Sequence, residues 1–212
     1  QTDLYSFDVT AGQSFYFDAQ SLTGGDASWR LLGPDGEQVR APANISDSGV
    51  FSLGRTGKYT LSLEARDSNA TAIDYAFTLS RVTQQIAPLV LGQTLVGEID
   101  LAGNTDSYDF TLAANARVVF DTLLNSGLRW TLTGPRGQVV ANRSLASSDT
   151  NGGDPVLDLV AGSYRLTIAG DSDAKGTYAF RLLDAASALP TAYGTSISAT
   201  IGNGEFSAQR PR

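Results

Sequence analysis

Residues 29–39 read WRLLGPDGEQV, and residues 130–140 read WTLTGPRGQVV. The two stretches have the same parts in the same order. An alternating run opened by tryptophan enters a Gly-Pro-x-Gly turn, and a second run leaves it. Proline presets φ at the first central position, and the closing glycine tolerates the chain reversal. Each stretch therefore reads as a β-hairpin, present twice.

Further pairs lie to either side. DLYSFDV at Asp3–Val9 matches DSYDFTL at Asp106–Leu112, and GKYTLSL at Gly57–Leu63 matches GSYRLTI at Gly162–Ile168. YAFTLSR from Tyr75 matches YAFRLLD from Tyr178. The pairs keep one order and sit about a hundred residues apart, which indicates two tandem domains and not a solenoid of short repeats. Each block alternates with period two between turn residues. Tyr59, Leu61 and Leu63 face one way, Thr60 and Ser62 the other. That is the pattern of half-buried antiparallel strands.

The expected fold class is all-β: two tandem antiparallel β-sandwiches, jelly-roll-like, plus an extra C-terminal strand. The first sandwich spans residues 1–83 and the second 89–186. Residues 190–212 form a segment resembling the start of a third repeat. Linkers are expected at Thr83–Pro88 and Asp184–Thr191.

Composition narrows the function. The 212 residues carry a formal net charge of −7, with 22 acidic and 15 basic side chains. No basic footprint for nucleic acid or anionic lipid exists, and no apolar run is long enough to span a membrane. The sequence has no His and no Cys. A Ser–His–Asp triad, a cysteine nucleophile, the usual zinc ligand sets and a disulfide framework are thereby excluded. Met is also absent, even at position 1, so the chain reads as processed or cut from something longer. The acids sit in turns beside Gly, Asn and Ser, and no enzymatic constellation emerges.

The ordered blocks GQTLVGEI, TDSYDFTL, WTLTGPRGQVV, AGSYRLTI and GTYAFRLL resemble the bacterial pre-peptidase C-terminal domain. The resemblance covers one near-complete copy at Leu91–Leu183. A second copy at Asp3–Arg81 lacks its leading strand, and the first strand of a third stands at Tyr193–Ile201. It implies a small jelly-roll-like sandwich of the kind found in secreted proteases, surface proteins and very large adhesins. Such modules are accessory, not catalytic. Some of them bind calcium or glycans.

Calcium wants several clustered oxygen ligands. The candidates are Asp67, Asn69 and Asp74 in one hairpin and Asp171 and Asp173 in its equivalent, followed by Asp149, Asp154 and Asp158. The competing reading is that Asp and Asn cap backbone N–H groups in turns, and no EF-hand or nonapeptide repeat is present. No cofactor is otherwise implied. Trp29, Trp130, Tyr59, Tyr164, Tyr75, Tyr178, Phe77 and Phe180 recur at equivalent places and are expected in the two cores. Tyr16 and Tyr193 are the aromatics left for a sugar platform. Sequons stand at Asn44, Asn69 and Asn142.

One asymmetry remains. GTSISATI at Gly194–Ile201 aligns with GQTLVGEI at Gly92–Ile99, the leading strand of the second copy. The first copy has no such strand before TDLYSF. A sandwich missing a strand exposes a row of backbone donors and acceptors and an apolar groove. Ile197, Ala199 and Ile201 alternate with Ser198 and Thr200, as a donated strand should. Three arrangements follow: the tail folds back on its own first domain, it enters the first domain of another copy head to tail, or the chain is a piece of a longer array. The first expectation is a secreted or cell-surface structural subunit assembling as a filament. The alternative is a spacer or ligand-binding segment of a large adhesin, calcium-dependent or glycan-binding.

Overall fold

The computed structural model describes residues 1–66, 71–148 and 154–200. It divides into two compact units, Gln1–Thr83 with Leu101–Gly103, and Gln84–Asp100 with Asn104–Arg212. The chain is all-β. Among the described residues the helical content is two single 3-10 turns, at Leu145–Ser147 and Ala185–Ser187.

The first unit holds β1 (Thr2–Val9), β2 (Ser14–Thr23), β3 (Ala27–Leu32), β4 (Gln38–Asn44), β5 (Val50–Ser52), β6 (Gly57–Ala65) and β7 (Asp74–Val82). They form two antiparallel sheets, ordered β1-β6-β3-β4 and β5-β2-β7.

The second unit opens with β8 (Gln84–Pro88) and β9 (Leu95–Ile99). After them come β10 (Thr105–Leu112), β11 (Ala116–Leu124), β12 (Arg129–Gly134), β13 (Gly137–Ser144), β14 (Val156–Leu159), β15 (Gly162–Ala169) and β16 (Gly176–Asp184). Its sheets are ordered β13-β12-β15-β10-β8 and β14-β11-β16-β9. Strands β10 to β16 repeat β1 to β7 in order and in neighbours. Strands β8 and β9 have no counterpart among the described residues of the first unit.

Thr83–Pro88, expected as a linker, is therefore largely strand. Gln84–Pro88 runs parallel to β10, with Ile86 opposite Ser107 and Ala87 opposite Tyr108. It lies at a sheet edge and ends on Pro88. Proline cannot donate to a ladder, so an edge is where a strand tolerates it.

The central ring stack repeats in both cores. Phe17 stacks on Trp29 at 4.5 Å and on Phe77 at 4.9 Å. Phe120 stacks on Trp130 at 4.0 Å and on Phe180 at 5.3 Å. Tyr59 donates its hydroxyl to the Arg55 carbonyl at 3.0 Å, and Tyr164 donates to that of Val160 at 2.8 Å. Two sequence signals also meet in space. The glycine that opens GKY or GSY lies against the proline of the GPxG turn. A methyl on Gly57 would stand 2.6 Å from Pro34 Cγ, and one on Gly162 would stand 2.8 Å from Pro135 Cγ.

Candidate functional site

Two tyrosines and an aspartate close one end of the second sandwich. Tyr178 on β16 donates to Asp106 Oδ2 at 2.5 Å, and the Tyr108 and Tyr178 hydroxyls lie 2.7 Å apart. Burial pushes the Tyr178 phenol far above its ordinary value, and the bonds to Asp106 and Tyr108 push it further. Burial likewise raises Asp106, against the Tyr178 hydrogen bond. Strand β9 covers this group. Gly97 sits directly opposite Tyr178, and Leu95 opposite Phe180. On its outer side β8 covers β10.

The first sandwich builds the same group without the cover. Tyr75 on β7 donates to Asp3 Oδ2 at 2.6 Å, and the Tyr5 and Tyr75 hydroxyls lie 2.6 Å apart. Tyr5 meets Phe77 edge-on at 5.4 Å and 77°, as Tyr108 meets Phe180 at 5.4 Å and 73°. Partial desolvation and the Asp3 bond raise the Tyr75 phenol as well.

Exposure is what differs. Leu4 and Tyr5 on β1 are 65% and 44% exposed, against 1% and 7% for Ser107 and Tyr108 at the matching positions of β10. Tyr75, Ala76, Phe77 and Leu79 on β7 are half-buried, where Tyr178, Ala179, Phe180 and Leu182 are fully buried. Among the described residues, strands β1 and β7 each have one sheet neighbour and stand at the ends of their sheets. A cleft of about 330 Å³ opens at the end of β6, beside the first residues of β1 and β7, with Asp3, Leu63, Ile73 and Tyr75 on its wall. Among the described residues these edges combine backbone without a ladder partner on one side with half-buried apolar rings.

The described part of the tail lies outside the sheets. Residues 195–200 carry no ladder pairing, and Ile197 is 68% exposed. Ala199 is exposed too. Ile201 lies outside the described residues. At the matching strand β9, Leu95 packs on the core and Ile99 is buried within it, while Val96 and Glu98 face outward. Leu95, Gly97 and Ile99 are the residues that align with Ile197, Ala199 and Ile201.

Three of the described acidic candidates are otherwise engaged. Asp171 accepts from Arg129 Nε at 2.7 Å, and Asp158 holds Arg117 at 2.8 and 3.2 Å. Asp154 caps the Val156 N–H at 2.9 Å. Asp74 and Asp173 are exposed. Asp67, Asn69 and Asp149 lie outside the described residues. Among the described residues no group of three or more His, Cys, Asp or Glu is arranged to hold a metal ion.

The expected core aromatics are buried, except that Tyr75 and Phe77 are covered only in part. Of the two sugar-platform candidates, Tyr16 is buried and Tyr193 is fully exposed. Sequence reasoning missed Tyr5 and Leu4. Tyr5 aligns with Tyr108, but nothing in the sequence of β1 shows that the strands enclosing Tyr108 have no counterpart beside it.

No family model and no curated protein matches the chain. Solved structures do. A pre-peptidase C-terminal domain of collagenase from Bacillus anthracis matches at 18% identity, covering 47% of this chain and 94% of that one, with a TM-score of 0.35. This is the family that the repeated strands resemble. Two periplasmic inhibitors of g-type lysozyme, PliG, match likewise. The one from Aeromonas hydrophila has 13% identity, 48% and 98% coverage and a TM-score of 0.33. The one from Salmonella Typhimurium has 16% identity, 46% and 98% coverage and a TM-score of 0.34. At these identities the likeness concerns the fold alone.

Proposed function

We propose that this chain is a non-catalytic structural subunit, secreted or displayed on a cell surface. It assembles head to tail by donating its C-terminal strand, Ile197 to Ile201, to β7 in the first sandwich of another copy. The observation that carries this reading is the half-buried row Tyr75, Ala76, Phe77 and Leu79, beside its fully covered twin on β16. Ile197, Ala199 and Ile201 would repeat the inward set of β9. Burying them is worth roughly 3–6 kcal/mol at about 25 cal/mol per Å², and backbone bonds of an added strand contribute besides. Such a contact is heterologous and does not close, so repetition builds a fibre. The extracytoplasmic setting is what the resemblance to the pre-peptidase C-terminal domain implies.

A second reading has its own support. In the second sandwich the covering strands come from the residues just before it in the same chain, which is the pattern of a tandem array in an adhesin spacer. Sedimentation of the full chain over a range of concentrations separates the two. Donation gives concentration-dependent growth that Ile197→Asp abolishes, since the charge would enter an apolar site, while Ser198→Thr leaves growth intact. A chain that stays monomeric at high concentration, with a protease-sensitive tail, belongs to the spacer reading.

A further inference from the structure

Among the described residues nothing covers the outer edges of β1 and β7, and the tail repeats more than one strand. Residues 188–201, ALPTAYGTSISATI, align with 86–99, IAPLVLGQTLVGEI. Pro190 matches Pro88, Gly194 matches Gly92, and Ile201 matches Ile99. The earlier stretch takes in the last three residues of β8 and all of β9, joined by a turn.

That turn is already formed in the tail. Gly92 has φ +84°, and the Gln93 N–H donates to the Val90 carbonyl at 3.1 Å. Gly194 has φ +78°, and the Thr195 N–H donates to the Ala192 carbonyl at 3.3 Å. Leu189 before the turn is 92% exposed and Ile197 after it is 68% exposed. The tail thus presents two apolar side chains on either side of a preformed corner, with neither placed in a sheet.

We infer that the donated element is a two-strand clip, Ala188–Thr200, which closes both open edges of the first sandwich of a second copy. Ala188–Pro190 lies parallel to β1, as β8 lies on β10. Thr195–Thr200 lies antiparallel to β7, as β9 lies on β16. This deepens the donation reading and rests on it.

The register follows from the second sandwich. Ala87 faces Tyr108 there, so Leu189 faces Tyr5 and Ala188 faces Leu4. Leu95 faces Phe180, so Ile197 faces Phe77. The corner is anchored by two backbone bonds, Gly92 N–H to the Leu182 carbonyl at 2.7 Å and Leu89 N–H to the Asp109 carbonyl at 2.9 Å. Their equivalents are Gly194 to Leu79 and Thr191 to Ser6. Two substitutions tune the fit. Leu189 brings a larger apolar side chain than Ala87 to the edge where Leu4 and Tyr5 stand exposed. Ala199 replaces Gly97, where a methyl would stand 2.3 Å from the tyrosine hydroxyl, so Tyr75 must give way at its open edge. The clip therefore binds with a built-in clash that Ala199→Gly relieves.

The test is amide hydrogen exchange on the full chain, below and above its assembly concentration, with sedimentation in parallel. The clip predicts new protection in both Thr2–Phe7 and Asp74–Val82 as particles grow. Leu189→Asp and Gly194→Val should each weaken assembly about tenfold or more, the first by placing a charge against Tyr5 and the second by opposing the positive φ. Ala199→Gly should strengthen it. All three positions are exposed and outside the sheets, so the subunits themselves fold. Protection of Asp74–Val82 alone, with Leu189→Asp assembling normally, overturns the clip and leaves single-strand donation standing. Protection of both edges in a particle that sediments as a monomer overturns the second-copy assignment. Absence of any assembly overturns clip and donation together.

Discussion

Gly97 lies flat against Tyr178: a methyl at that glycine would stand 2.3 Å from the tyrosine hydroxyl and 2.4 Å from Cζ. The two residues sit directly opposite each other across the β9–β16 pair. The absence of a side chain on one strand is what lets the phenol of the other reach Asp106 while staying dry.

The first expectation follows from that contact. Gly97→Val should destabilise the second sandwich by about 1–3 kcal/mol through overpacking. The first sandwich should be untouched. Denaturant unfolding followed by Trp130 fluorescence in a Trp29→Phe background measures the loss.

The two sandwiches should also unfold separately, the first at lower denaturant. Their ring stacks are alike, yet Tyr75, Phe77 and Leu79 keep contact with water where Tyr178, Phe180 and Leu182 do not. Each incomplete burial forgoes roughly 1 kcal/mol. Single-tryptophan variants, Trp29→Phe and Trp130→Phe, report one unit each. Coincident transitions at low protein concentration would contradict the expectation.

Most of this architecture was legible in the sequence. The GPxG turns, the alternation of GKYTLSL and GSYRLTI, and the order of the blocks are local signals, set by backbone sterics and by one-sided burial. Strand β8 was not legible. QQIAP has no alternation to read, because a short parallel edge strand takes its register from β10 and not from its own pattern. For the same reason the lead-in looked like one strand when it is two. Exposure of Leu4 and Tyr5 was equally hidden, since it depends on what a neighbouring strand does and not on β1 itself.

Alkaline pH should unfold the second sandwich through Tyr178. Its phenol is raised in the folded state, first by burial and then by its bonds to Asp106 and Tyr108. A raised folded value means that the stabilisation is complete below the unfolded value of about 10 and declines above it, by up to about 1.4 kcal/mol per pH unit. Tyrosinate absorbance from Tyr178 should therefore appear only together with loss of structure. Tyr178→Phe should remove that part of the alkaline slope. Asp106 works in the same direction at low pH. Burial raises its carboxyl, so its contribution is greatest below the unfolded carboxylate value and falls as pH rises through the folded one.

Chelation should leave the melting temperature unchanged. Asp171, Asp158 and Asp154 already serve Arg129, Arg117 and the Val156 N–H. An ion that bound only the folded state would raise stability by mass action. A fall in melting temperature on adding EDTA, restored by calcium, would direct attention to Asp67 and Asn69.

The last prediction concerns the contact that joins the two most readable motifs. Gly57 has φ +151° and lies against Pro34; Gly162 has φ +140° and lies against Pro135. Alanine at either glycine meets two costs at once, a backbone angle that L-residues avoid and a methyl inside the proline ring's space. Each substitution should cost about 1–3 kcal/mol, confined to its own sandwich. The two costs separate in a double-mutant cycle. Pro135→Ala removes the Cγ contact at 2.8 Å and leaves Cβ at 3.1 Å, so Gly162→Ala in that background should cost measurably less and retain chiefly the backbone part. Equal costs with and without Pro135 would show that the proline yields freely and that φ alone holds the glycine there. The matching cycle at Gly57 and Pro34 should give a smaller coupling, because Pro34 Cβ, which alanine keeps, would still stand 2.7 Å from the added methyl.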